Sequence, residues 1–344
     1  MGIEFEFFEA GKGDSILIST SEGTNILIDG GVIKEYNKNL KKSIAKNIRE
    51  KGKVLDLVVL THYDADHIGG ILKLLQEETK NIKSHQEIII KEIWFNSFYK
   101  DIVDIEVGKT TSGKQQVKLD EYIEKMSVNS NLSYSNSISI SKIKKPIYIG
   151  KNREVKLTLL SPNDEKLLNL KQDYEQAYLD YHAKNKKTSS GNDYHLSFEQ
   201  LLEDKMSKKD KTVANGSSIA FILEYCSKKY LFLGDAHIDL IMESLENLNE
   251  NLKFEFVKLS HHGSIKNLHK NFVKLIETDT YVILTNGSHG HPNKETIAKI
   301  FTYRKDENKA VNLICNYKKV EDILKSFITH EKYNVFLEKS IGFR

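Results

Sequence analysis

Two imidazoles and two carboxylates crowd into the run Thr61-His62-Tyr63-Asp64-Ala65-Asp66-His67, between the apolar stretch Val54 to Leu60 and the pair Gly69-Gly70. No other feature constrains the chain as much. The stretch before the run has the composition of a buried strand. After it, Ile68, Ile71, Leu72, Leu74 and Leu75 recur at helical spacing, so the run predicts a strand-to-helix loop. On extended backbone His62, Asp64 and Asp66 point to one side, and the turn into the helix swings His67 round. Imidazole with carboxylate is a ligand set for zinc or manganese. An aspartate-capped helix start with solvated histidines is the plainer alternative, but it leaves this density of ligating groups unexplained.

Around this loop the first sixty residues alternate short apolar segments with glycine-centred turns, and Ile3 to Phe8, Ser15 to Ser19 and Asn25 to Ile28 each read as a strand. Residues 97–141 are polar, with one amphipathic stretch near Leu119 to Met126. Ser161-Pro162-Asn163-Asp164 then predicts a helix with Ser161 as N-cap and Pro162 in first position, continuing through Leu167, Leu170, Tyr174, Tyr178 and Tyr181. Strand patterns return at Ser218 to Leu223, Tyr230 to Leu233, Phe254 to Leu259, Tyr281 to Thr285 and Val311 to Cys315, with a helical pattern at Leu268, Phe272, Leu275 and Ile276. The whole predicts an α/β protein of two β-rich halves facing each other with helices outside. Residues 1–344 then form a single domain with inserted subregions at about 97–145 and 163–212.

A chain of 344 residues with 39% hydrophobic and 29% charged residues can bury a sizeable core. No stretch approaches the ~20 apolar residues that span a bilayer, and Met1-Gly2-Ile3-Glu4-Phe5-Glu6 lacks the plan of a signal peptide, so a cytoplasmic protein without a membrane partner is expected. Cys226 and Cys315 lie in apolar runs and read as small buried hydrophobes. The net charge of +3 does not by itself identify a nucleic-acid binder. Its distribution says more. Lys142, Lys144, Lys145, Lys151, Arg153 and Lys156 form one cluster, Lys184, Lys186 and Lys187 a second, and Lys205, Lys208, Lys209 and Lys211 a third. Each is either a solvated surface or a phosphate-attracting face.

Further chemistry-bearing motifs are Gly11-Lys12-Gly13-Asp14-Ser15, Ile26-Leu27-Ile28-Asp29-Gly30-Gly31, Asn215-Gly216-Ser217-Ser218, Leu231-Phe232-Leu233-Gly234-Asp235, Ser260-His261-His262-Gly263-Ser264 and Gly290-His291-Pro292. Taken without any family, Asp235 is a strand-end carboxylate or a turn aspartate, and Asp14 and Asp29 either hydrogen-bond metal ligands or serve turns. Together with the Thr61–His67 run these motifs resemble the metallo-β-lactamase superfamily, whose usual signature is His-x-His-x-Asp-His. Asp64 stands in place of the second histidine, a departure that resembles the hydrolase domain at the C-terminus of bacterial DNA-uptake competence proteins and related stand-alone hydrolases. The resemblance implies an αββα sandwich. It implies that His62, Asp64, Asp66, His67 and Asp235 bind metal, Asp235 bridging two ions, with one of His261 or His262 as the last ligand. Ser260 favours His261, leaving His262 to orient the site or meet substrate beside Asp66, while His291 contacts the substrate or its leaving group. Asn215-Gly216-Ser217-Ser218 falls where the family places another histidine. The implied cofactor is therefore one or two Zn²⁺ ions, with Mn²⁺ a competitor and a single ion at Asp66, His67, Asp235 and His261 an option. His85, His182, His195, His237, His269 and His289 match no motif.

Bound metal lowers the pKa of water from 15.7 to roughly 7, and the chain contains no complete phosphate-cradling Gly-x-x-x-x-Gly-Lys-Ser/Thr, since Gln115 follows Gly113-Lys114, and no dinucleotide fingerprint or nucleophile elbow. Hydrolysis is the expected chemistry. The carboxylate-rich ligand set and the lysine clusters favour a phosphodiesterase or nuclease acting on nucleic acid or another phosphodiester. The alternatives are a hydrolase of a small ester, thioester or lactone, and a non-catalytic, metal-stabilised sensing or binding component of a defence system.

Overall fold

The computed structural model describes residues 1–52, 54–85, 87–96, 111–131, 137–180, 192–202, 209–327 and 332–344. The strands are β1 (Ile3–Phe7), β2 (Ile16–Thr20), β3 (Asn25–Ile28), β4 (Val54–Leu55), β5 (Leu57–Val59), β6 (Ile89–Ile90), β7 (Glu92–Trp94), β8 (Asn129–Ser130), β9 (Ile147–Ile149), β10 (Val155–Ser161), β11 (Ala220–Tyr225), β12 (Lys228–Phe232), β13 (Phe256–Lys258), β14 (Thr280–Ile283), β15 (Val311–Cys315), β16 (Tyr333–Leu337) and β17 (Ser340–Phe343). The helices are α1 (Leu40–Ser43), α2 (Ala65–Asn81), α3 (Thr111–Lys125), α4 (Asp164–Asp180), α5 (Phe198–Leu202), α6 (Val213–Gly216), α7 (Ile238–Glu246), α8 (Lys270–Leu275), α9 (Lys294–Tyr303) and α10 (Lys318–Phe327).

Among the described residues the strands build a seven-stranded sheet in the order β17-β1-β2-β3-β5-β7-β8 and an eight-stranded sheet in the order β16-β15-β14-β13-β12-β11-β10-β9. Alternating side chains explain why the two stack. Ile16, Ile18, Ile26, Ile28, Leu57 and Val59 of the first sheet meet Phe221, Leu223, Tyr230, Phe232 and Phe256 of the second in one buried layer. The intervening residues Leu17, Leu27 and Val58 face the other way, into a layer shared with α1, α2 and α3. On the far side Ala220, Ile222, Leu231, Val257 and Leu313 pack against α7, α8, α9 and α10. Both faces of each sheet are covered, which is why these strands read as continuous apolar runs. The predicted αββα sandwich is the observed one. Among the described residues no helix is long and apolar enough to cross a membrane.

Several details differ from the sequence reading. Val54 to Leu60 is broken at Asp56, whose carboxylate accepts from the Asn25 amide (2.9 Å) and the Lys91 ammonium (2.6 Å), so β4 leaves the main sheet to pair with β6. The α4 cap is Asn163, not Ser161: Asn163 Oδ1 accepts from the Lys166 amide at 2.9 Å, and Ser161 ends β10. Cys226 is exposed, in the turn between β11 and β12, whereas Cys315 is buried. The segments read as insertions contribute to the core. β8 is an edge strand of the first sheet, Leu119 and Ile123 of α3 are buried, and Asp193 caps α9 by accepting from the amides of Lys294 (3.0 Å) and Glu295 (2.9 Å). Lys184, Lys186, Lys187, Lys205, Lys208, Tyr181 and His182 lie outside the described residues.

The Thr61–His67 loop is held by an approach that only glycine permits. A Cβ on Gly70 would lie 1.9 Å from the Gly30 carbonyl oxygen, and one on Gly30 would lie 2.3 Å from the Ile71 amide. The end of β3 thereby touches the first turn of α2, and Gly30 N–H donates to the His67 carbonyl at 2.8 Å. Gly70→Ala forces that contact open and is expected to cost about 3 kcal/mol. Gly52→Ala meets nothing within 4 Å and bears only the strain of φ +60°, about 1 kcal/mol. Urea denaturation of the two variants checks the order, and a Gly70→Ala loss no larger than that of Gly52→Ala would show that the close approach is not limiting.

Candidate metal centre

The strands β3, β5, β12, β13 and β14 end at one rim, and the loops that follow them carry the chemistry-bearing residues. Two bonds lock the rim together: Ile219 N–H donates to the Thr61 carbonyl (2.8 Å) and His261 N–H to the Gly234 carbonyl (3.0 Å). Asp235 sits at the centre, 3% exposed, its amide held by Ser218 Oγ at 3.0 Å. Around its Oδ2 stand the Nε2 atoms of His67 (3.7 Å), His262 (3.7 Å), His62 (3.9 Å) and His261 (3.9 Å). These separations exceed hydrogen-bonding range. They are close to the roughly 3–4 Å between two donors that share one ion at 2.0–2.2 Å.

Partners at the other ring nitrogens fix where the lone pairs point. His67 Nδ1 donates to Asp29 Oδ2 at 2.8 Å, and His262 Nδ1 donates to the Leu284 carbonyl at 2.9 Å. His62 Nδ1 donates to Thr61 Oγ1 at 3.1 Å, and that hydroxyl in turn donates to Asp29 Oδ2 at 2.7 Å. Each ring then offers a bare Nε2 toward Asp235, and His62 Nε2, His67 Nε2 and Asp235 Oδ1 are buried with no other partner among the described residues. The donor set thus fits a divalent cation. Among the described residues four groups have ligating atoms within 4.8 Å of one another: His62, His67 and Asp235; Asp66, His67 and His262; Asp14, Asp29 and His67; and Asp14, Asp235 and His262. Asp64, at the start of α2, brings Oδ2 to 3.8 Å from His62 Nε2.

Burial pushes His62 down to about 4, helped by the neighbouring His67. In His67 burial acts the same way but is outweighed by Asp235 and Asp29, which hold the imidazole well above its ordinary value. Burial would raise Asp235, yet the histidines around it, His262 and His261 foremost, hold it well below the carboxylate range. Positive charge at this point is what the surrounding groups favour.

All six residues read as metal ligands therefore gather here, and so does His262. The two adjacent histidines do different things. His262 is buried and groups with Asp66 and His67. His261 has a side chain 28% exposed, its Nδ1 donates to Asn267 Oδ1 at 3.1 Å, and its ring lies 5.2 Å from that of the partly exposed His291. Asn215, where the family places a histidine, adjoins the centre through His261: its side-chain amide donates to Asp210 Oδ2 at 2.7 Å and lies 3.2 Å from His261 Nδ1. Asp29 and Asp14 both serve ring nitrogens, Asp14 Oδ1 lying 3.3 Å from His262 Nδ1. Three contributors escaped the sequence reading. Lys258, 1% exposed, is ion-paired with Asp14. Asp210 accepts from Asn215 and from Asn267 (3.0 Å), and Asn267 also donates to the Asp235 carbonyl (3.2 Å). A lysine inside the apolar run Phe254 to Leu259 was a usable signal; Asp210, in a lysine-rich stretch, gave none. Asp29→Asn keeps the shape but weakens the hold on His67. It is expected to lower affinity for Zn²⁺ by about 10–100-fold, read by competition with a chromophoric chelator. An unchanged affinity would deny Asp29 an orienting role.

Residues 9–103 match the family model described as the metallo-beta-lactamase superfamily. Over 101 residues the chain is 32% identical to microtubule-associated protein 1A of Rattus norvegicus and of Homo sapiens, a stretch covering 29% of this chain and only 3% of each relative. Among solved structures it resembles the metallo-beta-lactamase fold protein YhfI from Bacillus subtilis (11% identity, TM-score 0.44, 99% of each chain covered). It also resembles a diphosphatase of the PhnP family (10% identity, TM-score 0.44, 100% of this chain and 98% of that one). A third likeness is to Zn²⁺-bound PqqB from Methylobacterium extorquens (9% identity, TM-score 0.42, 100% of each chain). With its two stacked sheets between helical layers and the family sequence over residues 9–103, the chain is a protein of the metallo-β-lactamase fold.

Proposed function

We propose that the protein is a metal-dependent phosphodiesterase, and the observation that carries the reading is the convergence of bare imidazole nitrogens on the buried carboxylate of Asp235. A divalent cation held there supplies Lewis acidity, which makes water a nucleophile near neutral pH and offsets charge on a phosphoryl oxygen. His62, Asp64 and Asp235 would hold one ion, and Asp66, His67 and His262, with Asp235, would hold another. His262 takes this place in preference to His261 because its Nδ1 is anchored to a backbone carbonyl and its side chain is the more buried of the two. The first set is rich in carboxylate and suits Mn²⁺ as well as Zn²⁺.

His261 and His291 then form the accessible wall of the site, where they meet the substrate. Burial lowers His261 but Asp235 and Asp210 outweigh it, so this ring holds a proton near the departing oxygen. Burial and His261 push His291 down to about 3 and leave it to contact the substrate as a neutral ring. Lys12, with Nζ 3.6 Å from Asp66 Oδ1 and a side chain 43% exposed, stands at the rim where a non-bridging phosphoryl oxygen would lie. A neutral ester or lactone has no use for a cation there. The resemblance of the Asp64-bearing run to the hydrolase domain of DNA-uptake competence proteins supports the same substrate class.

The test is incubation with Zn²⁺ or Mn²⁺ against single- and double-stranded DNA, RNA and a chromogenic phosphodiester, with a thioester and a lactone as comparison. Cleavage of the phosphodiesters is expected. Asp235→Asn should lower kcat/KM by about 10³-fold, on the order of 4 kcal/mol of transition-state stabilisation. No cleavage of any phosphodiester with either metal sinks the reading. Chelation gives a check without turnover, since an ion present at 1,000 times its Kd stabilises the folded state by about 4 kcal/mol. The thermal midpoint should therefore fall on adding a chelator and recover with Zn²⁺.

A further inference from the structure

Beside the candidate centre lies a cavity of about 280 Å³, walled by Lys166, Lys209, Lys211, Lys266 and His237 together with the carboxylates of Asp210 and Asp239. It adjoins the centre closely in the chain. His237 lies two residues beyond Asp235, Gly216 on its floor follows Asn215, and Asp210 stands between the two spaces, its Oδ2 3.5 Å from His261 Nδ1. Four ammonium groups around one hollow repel one another unless something negative sits among them. The two carboxylates on its wall offset only part of that charge. Asp210 is already engaged by three donors, the side chains of Asn215 and Asn267 and the Thr212 amide (2.9 Å). Asp239 pairs with Lys209 alone (2.9 Å). Lys166 has only a loose contact with the exposed Glu165 (3.9 Å), and Lys211 and Lys266 form no ion pair among the described residues. His237 Nε2 donates to the Thr212 carbonyl at 3.0 Å, which holds the wall in place.

We propose that this cavity is a phosphate subsite that receives a phosphodiester flanking the one being cleaved, which makes the substrate a polynucleotide strand. The inference rests on the phosphodiesterase reading and narrows it. The lysines come from α4, from the segment leading into α6 and from the loop before α8, so separate parts of the fold aim cations at one hollow. A single diester or a neutral substrate would reach the metal centre without touching it. A strand laid across the rim places one phosphate at the centre and a neighbour among the lysines, and each lysine so engaged displaces condensed counterions.

The experiment uses the Zn²⁺-loaded protein and its Lys211→Gln/Lys266→Gln variant, with Lys42→Gln/Lys46→Gln on the first-sheet side as the control. Binding of fluorescein-labelled DNA and RNA octanucleotides is followed by anisotropy across a salt series. Hydrolysis of a dinucleotide with one phosphodiester is measured in parallel. The cavity variant is expected to bind the octamers about 10-fold or more weakly, with the salt slope reduced by roughly 1.4, the value for two lost contacts to a single strand. Its kcat/KM on the dinucleotide should stay within about 2-fold of the unmodified protein, and the control pair should change neither. Octamer affinity indifferent to the cavity lysines would overturn the proposal. So would equal losses in the control pair, or ATP displacing the octamer as well as unlabelled octamer does. If the dinucleotide is not cut, the hydrolytic reading fails by itself, and the anisotropy still decides the cavity.

Discussion

A carboxylate with 3% of its surface exposed, ringed by four imidazoles, is the constraint around which this structure is organised. An uncompensated charge at that depth would cost several kcal/mol, and the histidines repay it only when something positive is shared among them. The requirement propagates outward. Each imidazole must show a lone pair to the centre, so each needs an acceptor behind it: Asp29 for His67, Thr61 relaying to Asp29 for His62, and the Leu284 carbonyl for His262. Those acceptors need supports in turn. Asp29 also takes the Thr61 amide at 2.8 Å, and Asp14, behind His262, is buried with Lys258. Burial would raise Asp14, but Lys258 and His262 hold its carboxyl at about 2. The interlayer core is thus interrupted, at the rim only, by a connected polar network.

The backbone carries part of the cost. Asp29, His261 and His262 have positive φ values of 53°, 46° and 56°. Residues with a Cβ rarely adopt this left-handed region, and two in succession are rarer still. Each lies where a strand ends and a side chain must be turned into the rim, so the strain falls on residues whose direction the centre dictates. The surrounding sheets can impose it because both of their faces are buried and their strand ends are fixed by pairing on either side.

Legibility in the sequence followed the range of the interactions. The Thr61–His67 run announced strand, loop and helix because its cues are local: an apolar stretch, a ligand-dense turn, and helical spacing after Gly69-Gly70. Asp235 and His261-His262 were readable as polar groups at the ends of apolar runs. Features set by distant partners were not. Asp210 acquires its place only when Asn215 and Asn267 arrive from elsewhere in the chain, and in sequence it sits among lysines as one more surface charge. The crossing from β16 to β17, which carries the last strand back to pair with β1, has no signature beyond two short amphipathic segments. The N-cap of α4 went to Asn163 because β10 runs on through Ser161, and a strand's register is not visible from one side of a boundary. Of the cationic residues around 142–156, Lys151 and Arg153 fall at the β9–β10 turn, the end of β10 away from Asp235, so composition alone did not say which lysines would face the site.

The pair His261-His262 shows why adjacency in sequence says little about role. Ser260 favoured the first histidine as the ligand, since it resembles the residue that leads into the family's ligand. Consecutive left-handed residues turn the chain between the two, and their rings end 5.8 Å apart at 78° to one another. One ring is driven inward, with its Nδ1 on a main-chain carbonyl that cannot be protonated or swung away. The other is left at the boundary between the metal centre and Asp210, partly open to solvent and within reach of His291. A rigid acceptor suits an imidazole that must hold a fixed position, and a side-chain amide with a carboxylate nearby suits one that must pass a proton. The inner ring is thus the more rigidly held of the two, although the Nε2 atoms of both lie within 3.9 Å of Asp235 Oδ2.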